Sequence, residues 1–241
     1  MTVLGDLLVA RIARTGPISL ADYMADCLMH PVHGYYATRD PFGQNGDFIT
    51  APEISQMFGE LIGLSLAQSW IDQGKPAPFT LAELGPGRGT LMADILRATK
   101  AVPGFHDAMA VHFVETSPTL RKAQAKTVPD AHWHDSVATL PEQPLFLIAN
   151  EFFDALPIRQ FVRTGDAWRE KMVGLTDDEL SFGLSTAAAL ALLEHRLADT
   201  AEGDLIEHCS ALPAIMQTIG QLIDKHGGTA LVIDYGDWQS Q

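Results

Sequence analysis

The chain carries little positive charge and no long basic run. It has 16 Lys and Arg residues against 30 Asp and Glu residues, a formal charge of −14 at pH 7. The longest basic run is the Arg121-Lys122 pair. Proteins that bind the phosphate backbone of a nucleic acid usually concentrate positive charge on one surface. We therefore expect no nucleic-acid partner. An acidic surface suits a basic partner, although it also simply favours solubility.

Cysteines and long apolar runs are also scarce. The two cysteines, Cys27 and Cys209, show neither metal-ligand spacing nor a disulfide framework, which predicts a reducing compartment. The longest apolar stretch, around residues 184–193, is too short to cross a bilayer, so we expect no membrane insertion. The first residues lack the basic region and apolar core of a signal peptide, and Asp6 argues against a mitochondrial presequence. We therefore expect a cytoplasmic protein.

The most informative segment is a strand-like run, residues 79–84, that leads into three alternate glycines and then a helical pattern. Gly85, Gly87 and Gly89 permit a sharp turn and a close approach of the backbone to a ligand. The acid Glu83 stands two residues before the first glycine. This spacing differs from the G-x-G-x-x-G of dinucleotide sites and is typical of S-adenosylmethionine (SAM) methyltransferases, since SAM carries an ammonium group but no pyrophosphate. An ordinary strand–helix connection is the alternative.

The strand and helix patterns that follow alternate, which predicts an α/β fold with a doubly wound parallel sheet. The predicted strands are residues 79–84, 110–115, 131–133, 145–150 and 229–235. The predicted helices are residues 3–14, 19–29, about 53–70, 89–99, 117–126 and 210–226. Between 157 and 207 the alternation fails, and we expect an antiparallel meander followed by an Ala/Leu-rich helix near 186–197.

The same patterns predict the division of the chain into domains. We expect an N-terminal helical cap with a cofactor-covering loop at 1–74, and a core at 75–241 that carries a β-rich inserted lobe at about 157–207. The sequence stops shortly after a predicted core strand, whereas a complete sheet of this class would continue. We therefore expect a truncated C-terminus.

The ends of two further strands carry candidate cofactor-binding residues. Glu115 lies next to the glycine turn, where an acid can accept both hydroxyls of a ribose; the alternative is a charge at a helix N-terminus. Trp133 can flank an adenine and Asp135 can accept from its amino group, although a buried Trp and a surface Asp fit equally well. His132 and His134 lack a third ligand at metal spacing, so no metal site is expected.

Candidate catalytic residues follow the strand at 145–150. In doubly wound sheets the catalytic loops lie at the carboxyl ends of the strands, which is where Asn150, Glu151 and Asp154 fall. Two carboxylates can hold a guanidinium group in bidentate fashion. The alternative is a helix that Asn150 caps, with the acids in its first turn and Pro157 soon ending it.

Four segments, taken together, resemble the MidA family of SAM-dependent methyltransferases, which includes a mitochondrial complex I assembly factor. The segments are residues 46–63 (beginning Gly-Asp-Phe-Ile-Thr-Ala-Pro), 83–89 (Glu-Leu-Gly-Pro-Gly-Arg-Gly), 150–157 (Asn-Glu-Phe-Phe-Asp-Ala-Leu-Pro) and 233–236 (Ile-Asp-Tyr-Gly). The resemblance implies a class I methyltransferase fold, SAM as the cofactor, and an arginine of a protein as the acceptor. The eukaryotic members are mitochondrial, and for the mitochondrial member the acceptor protein is a subunit of respiratory complex I, which the resemblance implies as the kind of acceptor to expect here.

With SAM as the expected cofactor, we assign roles to the residues around it as hypotheses. The three glycines approach the methionine moiety and the ribose, Glu83 orients the amino group, and Glu115 binds the ribose hydroxyls. The segment 46–52 closes over the cofactor, and Thr50 and Glu53 contact cofactor or acceptor unless they only form a helix cap. Three other functions stay open: a nicotinamide-dependent oxidoreductase, a non-catalytic assembly factor with a vestigial SAM pocket, and a small-molecule methyltransferase.

Overall fold

The structure, a computed structural model, describes residues 2–35 and 50–236. Its internal contacts divide the chain into two compact units. The described residues of Met1–Thr38 and Leu156–Ala211 form the first unit, and those of Arg39–Ala155 and Leu212–Gln241 form the second. The predicted insertion at about 157–207 lies within the first unit, while the predicted domain boundary at residue 74 stays a prediction.

The described residues form helices and strands with the following bounds. The helices are α1 (Val3–Thr15), α2 (Leu20–Met29), α3 (Ala51–Ile54), α4 (Gln56–Asp72), α5 (Thr90–Thr99), α6 (Phe105–Ala108), α7 (Pro118–Thr127) and α8 (Leu212–His226). The strands are β1 (Ile18–Ser19), β2 (Phe79–Leu84), β3 (Met109–Val114), β4 (His132–His134), β5 (Leu145–Asn150), β6 (Arg159–Thr164), β7 (Ala167–Thr176), β8 (Glu179–Leu184), β9 (Leu205–His208) and β10 (Gly228–Ile233). Short 3₁₀ helices occupy Val137–Thr139 and Ala191–Ala198.

The second unit is built on a parallel sheet with the strand order β10-β5-β2-β3-β4. The central strand β2 is buried along its whole length, as expected for a parallel strand covered on both faces. Chain order reverses between β2 and β5, which is the switch point where doubly wound sheets bind ligands. Leu84 pairs with both Val114 and Ala149, so the carboxyl ends of the three central strands meet at one edge.

Helix α4 packs closely against α5 through two glycines. A Cβ atom on Gly59 would lie 2.6 Å from Cβ of Asp94, and one on Gly63 would lie 2.9 Å from Cα of Ile95. The helix predicted from about 53 to 70 is in fact two helices, because Ser55 adopts an extended backbone between α3 and α4. The missing side chains of the glycines thus set how near α4 comes to the helix that follows the glycine turn.

The first unit contains an antiparallel sheet in the order β1-β7-β6-β9, with β8 also paired to β7. Helix α1 packs on it through Leu8 and Ile12, which share a cluster with Ile18 and Val173. The predicted meander is present, but the predicted helix near 186–197 is wrong. The backbone of Ala188 pairs with Trp168 as an isolated bridge, which holds this stretch extended until the 3₁₀ helix begins.

Candidate active site

The three glycines form a turn with a left-handed backbone between β2 and α5. The φ angles of Gly85, Gly87 and Gly89 are +59°, +53° and +83°, a region that side-chain-bearing residues rarely adopt. Gly89 is also the N-cap residue of α5. A Cβ atom on Gly85 would lie 2.8 Å from Cδ2 of Phe152, so the turn is in contact with the segment that follows β5.

Glu83 is buried beside this turn and is incompletely paired. Glu83 is 3% exposed, and its Oε2 atom has no hydrogen-bond partner among the described residues. Burial raises the pKa of this carboxyl to about 8, because removal from water penalises the charged form. A cation placed next to Glu83 would stabilise the carboxylate and satisfy the free oxygen.

Glu115 follows β3 and is held by its neighbours in the chain. Its Oε1 atom accepts a hydrogen bond from the backbone N–H of Ser117 at 2.7 Å, ahead of α7. Arg121 donates to the backbone carbonyl of Glu115 through Nε at 2.7 Å and also through Nη2. Burial raises the pKa of Glu115, although hydrogen bonds from Ser117 and Gln124 act in the opposite direction. The carboxylate therefore has a fixed orientation at the edge of the sheet.

Trp133 and Asp135 have different surroundings, although both belong to the region of β4. The half-buried Trp133 donates its indole N–H to Oε1 of Gln124 at 2.9 Å. Asp135 has a side chain that is 84% exposed, and it forms an ion pair with Nη2 of Arg121 at 2.6 Å. Their contacts with an adenine stay predictions.

The segment after β5 forms a bend rather than a helix. No helix begins at Asn150 in the described part of the chain, so the helix-cap alternative is wrong. Glu151 has a φ of +49°, an uncommon conformation for a residue other than glycine, and its N–H donates to the carbonyl of Ile233 at 2.8 Å. Phe152 and Phe153 meet edge to face and pack on the core. Beside these anchors, Glu151 is half-buried and Asp154 is exposed.

Three carboxylates and a tyrosine meet at this bend, which we call the acidic corner: Glu151, Asp154, Asp234 and Tyr235. Oδ2 of Asp234 accepts from the backbone N–H of Asp154 at 3.2 Å. Partial burial and then the charges of Asp154 and Asp234 raise the pKa of Glu151. A hydrogen bond to Asp154 raises the pKa of the Tyr235 hydroxyl to about 12. Excess negative charge of this kind favours a cationic ligand.

No role was predicted for Asp234 and Tyr235, although they belong to one of the four family segments. Both residues directly follow β10, the parallel neighbour of β5. The carboxyl ends of neighbouring parallel strands lie at the same edge of a sheet. The position of these residues after β10 could therefore have predicted that they lie near the end of β5. The oxygen Oδ1 of Asn150, at the end of β5, is buried without a partner among the described residues.

The first residues after the undescribed segment also reach this edge. Thr50 precedes α3, and its side chain makes no capping hydrogen bond. Glu53 accepts a hydrogen bond from Oγ1 of Thr90, the first residue of α5, at 2.7 Å. The carboxylate of Glu151 accepts from the backbone N–H of Ala51. The rest of the predicted covering segment, residues 46–49, lies outside the described residues.

Neither a metal-binding cluster nor a membrane-spanning helix occurs in the described ranges 2–35 and 50–236. No group of three or more His, Cys, Asp and Glu side chains is arranged there to hold a metal ion. No helix in these ranges is long and apolar enough to cross a membrane.

Comparison with known proteins shows similarities that extend over most of this chain. Residues 61–241 match a family of S-adenosyl-L-methionine-dependent methyltransferases. The mitochondrial protein arginine methyltransferase NDUFAF7 of Xenopus laevis is 37% identical over 258 residues, which cover 95% of this chain and 59% of the relative. The human protein of the same name is 37% identical over 260 residues, covering 95% of this chain and 58% of the relative.

A crystal structure of a Burkholderia thailandensis protein with bound S-adenosyl-homocysteine is also similar. It is 29% identical, has a TM-score of 0.77, and is matched over 97% of this chain and 62% of its own. The chain thus spans about three fifths of the length of these relatives. The family match, the relatives and the parallel sheet agree with the resemblance of the four segments. The chain therefore belongs to the MidA-like family of SAM-dependent methyltransferases and has the class I methyltransferase fold.

Proposed function

We propose that this chain binds SAM over the glycine turn and transfers the methyl group to an arginine of a protein held at the acidic corner. The observation that carries the proposal is the contact between Gly85 and Phe152, because it brings the two halves of the site together. Methyl transfer from a sulfonium is an in-line displacement, so the main task of the protein is to align donor and acceptor and to exclude water.

On the cofactor side, Glu83 would receive the amino group of SAM, directly or through water. The buried, incompletely paired carboxylate supports this role, since a cation compensates the cost of its ionisation. The turn of Gly85, Gly87 and Gly89 would allow the methionine moiety and ribose to approach the backbone. Glu115 would accept from the ribose hydroxyls, since a carboxylate can accept more hydrogen bonds than the three it receives from protein. Further contacts to the cofactor would come from Trp133, Asp135 and Thr50.

On the acceptor side, the acidic corner would hold a guanidinium group. Glu151 and Asp154 would accept its N–H groups and direct one nitrogen lone pair toward the methyl group, and Asn150 would help to position it. The charges of Asp154 and Asp234 on Glu151 support this role, because an arginine would relieve their repulsion. No strong base is needed before transfer, since a guanidinium nitrogen becomes far more acidic as it gains a methyl group.

The identity and location of the acceptor are part of the same proposal. The names of the relatives as protein arginine methyltransferases support a protein substrate. We further propose a subunit of respiratory complex I as that substrate, as the family resemblance implies. A cytoplasmic location would agree with the two free cysteines, Cys27 and Cys209.

The proposal predicts that the two acids of the bend act on transfer and not on cofactor binding. Glu151→Gln and Asp154→Asn should each lower methyl transfer from labelled SAM to an arginine peptide by about 100-fold or more. Calorimetry should show that both variants still bind SAM with an affinity within about twofold of the wild type. The matched control is Asp178→Asn in the β7–β8 turn, which should change neither quantity.

Three results would contradict parts of this account. Loss of SAM binding in both variants would refute the division between donor and acceptor residues. SAM binding without transfer to any arginine peptide would favour an assembly factor with a vestigial pocket. Binding of a nicotinamide dinucleotide in place of SAM would refute the cofactor assignment itself.

A further inference from the structure

Gln124 is a fully buried polar residue in α7 that the proposed mechanism has not yet used. Its exposure is 0%, and with Leu120 it forms the inward face of the helix. Helix α7 lies against the glycine turn, since a Cβ atom on Gly89 would be 3.7 Å from Cα of Gln124. A buried amide must find hydrogen-bond partners, so its contacts show what the residue holds in place.

The amide of Gln124 joins three separate parts of the candidate cofactor site. Its Nε2 atom donates to the backbone carbonyl of Gly87 at 2.8 Å and to Oε2 of Glu115 at 3.2 Å. Its Oε1 atom accepts from the indole N–H of Trp133 at 2.9 Å. One side chain therefore contacts the middle of the glycine turn, Glu115 as the candidate ribose-binding residue, and Trp133 as the candidate neighbour of the adenine.

These three partners also fix which way the amide points. The indole N–H of Trp133 can only donate, whereas the carbonyl of Gly87 accepts and the carboxylate of Glu115 accepts when it is ionised. A flipped amide would place its NH2 group against the indole N–H of Trp133, and its oxygen against the carbonyl of Gly87 and the carboxylate of Glu115. In the observed orientation both amide hydrogens and the amide oxygen are hydrogen-bonded, so this orientation satisfies the whole amide group.

We propose that Gln124 is a positioning residue for the nucleoside half of SAM, acting through Gly87, Glu115 and Trp133. The inference rests on the proposed cofactor site. It adds Gln124 as a residue that contacts the proposed binding residues rather than the ligand. The amide keeps the Glu115 carboxylate aimed at the ribose, holds the Trp133 ring at the adenine side, and restrains the carbonyl of the turn. Because Gln124 hydrogen-bonds to Glu115, it also favours the ionised form of that acid.

The test compares affinities for S-adenosyl-homocysteine, measured by calorimetry on the whole 241-residue chain, at about pH 8 and about pH 5. Gln124→Met keeps the length of the side chain but removes the amide. Gln124→Glu keeps an acceptor for Trp133 but removes both donors and adds a charge beside Glu115. Each variant is compared with the wild type at the same pH, which cancels the titration of the ligand's own amino group.

At about pH 8 both variants should bind about tenfold more weakly than the wild type. At about pH 5 the deficit of Gln124→Met should grow, because Glu115 without its donor takes up a proton more readily. The deficit of Gln124→Glu should shrink, because two adjacent carboxyls share a proton and the protonated one can donate again. A general packing defect would not produce opposite pH trends.

The matched control is Gln143→Met, which removes a hydrogen bond from Gln143 to Oγ1 of Thr80 (2.9 Å) elsewhere in the same unit and should leave affinity unchanged. Wild-type affinity in both Gln124 variants, or deficits that do not change with pH, would overturn the inference. A wild-type chain that does not bind S-adenosyl-homocysteine would instead refute the cofactor site, and the inference with it.

A second measurement does not depend on the Gln124 variants being folded. The indole N–H resonance of Trp133 in the wild type, identified by its loss in Trp133→Phe, should shift when S-adenosyl-homocysteine binds. Ligand binding without such a shift would also overturn the inference.

Discussion

The carboxyl group of Glu83 lies in an environment that favours its neutral form. It is buried at the end of β2, and no described residue donates to its Oε2 atom. A motif can identify the acid before the glycine turn, and it did so here. The protonation state could not be predicted from the sequence, because it depends on the side chains that remove water from around the carboxyl group.

Replacing this acid should change how stability depends on pH. The pKa of Glu83 is raised from 4.5 to about 8, so the folded chain binds one more proton than the unfolded chain between these values. The wild-type free energy of unfolding should therefore fall, by up to about 5 kcal/mol, as pH rises through this window. Glu83→Gln should lack this fall.

Urea denaturation of wild type and Glu83→Gln across this pH range measures the difference. The surface variant Glu179→Gln serves as the control and should follow the wild type. Parallel stability curves for the wild type and Glu83→Gln would show that Glu83 is already ionised in the folded, ligand-free chain.

Gly85 provides a second prediction at the scale of one residue, with Gly165 as a natural comparison. The two glycines have similar φ angles, +59° and +56°, but only Gly85 has an atom near its missing Cβ, on Phe152. Substitution by Ala should cost about 1 kcal/mol of stability at either position because of the backbone conformation alone. Gly85→Ala should in addition displace Phe152 and weaken SAM binding, whereas Gly165→Ala should not.

Thermal unfolding and SAM calorimetry on the two variants separate these effects. Equal losses of SAM affinity in Gly85→Ala and Gly165→Ala would refute a direct role for the contact with Phe152.

At the scale of elements, strands β3 and β4 are joined by a pair of histidines, the buried His112 and the half-buried His134. Nδ1 of His112 lies 2.8 Å from Nε2 of His134, and Nδ1 of His134 lies 2.9 Å from Oγ1 of Thr139. Burial, followed by the nearby His134 and His132, lowers the pKa of His112 to about 4. Strand β4 carries Trp133, so protonation of this pair would strain the strand beside the candidate nucleoside site.

This pair predicts a loss of stability in mild acid. Between pH 6.5 and about 4 the unfolded chain binds a proton at His112 that the folded chain does not, so the free energy of unfolding should fall as pH decreases. His112 contributes up to about 3 kcal/mol to this loss. His112→Gln should lose less stability over the same range, as measured by urea denaturation, while exposed His195→Gln should behave like the wild type. An equally steep loss in His112→Gln would contradict this account.

The elements themselves were largely predictable where local pattern and tertiary packing agree. The core strands of the parallel sheet follow apolar runs, and their ends fall within one or two residues of the predicted ones. The Ala/Leu-rich stretch after β8 has high helix propensity, yet pairing of Ala188 with Trp168 keeps part of it extended. The helix break at Ser55 likewise has no strong breaker residue in the sequence.

At the scale of the whole molecule, contacts between distant parts of the chain were the least predictable feature. The first unit combines the described residues of Met1–Thr38 with Leu156–Ala211, and no local pattern links these segments. The acidic corner likewise joins Asp154 to Asp234, 80 positions apart. Glu83 and Asp154 were predicted from the family segments that contain them, and Glu115 from its position at the end of a strand. Gln124 was not, because it lies in a polar helix with no motif.

A crystal structure with S-adenosyl-homocysteine would show whether the glycine turn and the acidic corner together form one SAM site. We expect the amino group beside Glu83, the ribose hydroxyls at Glu115, and the sulfur facing the segment from Asn150 to Asp154. A ligand bound elsewhere, or with its sulfur facing away from that segment, would contradict this expectation.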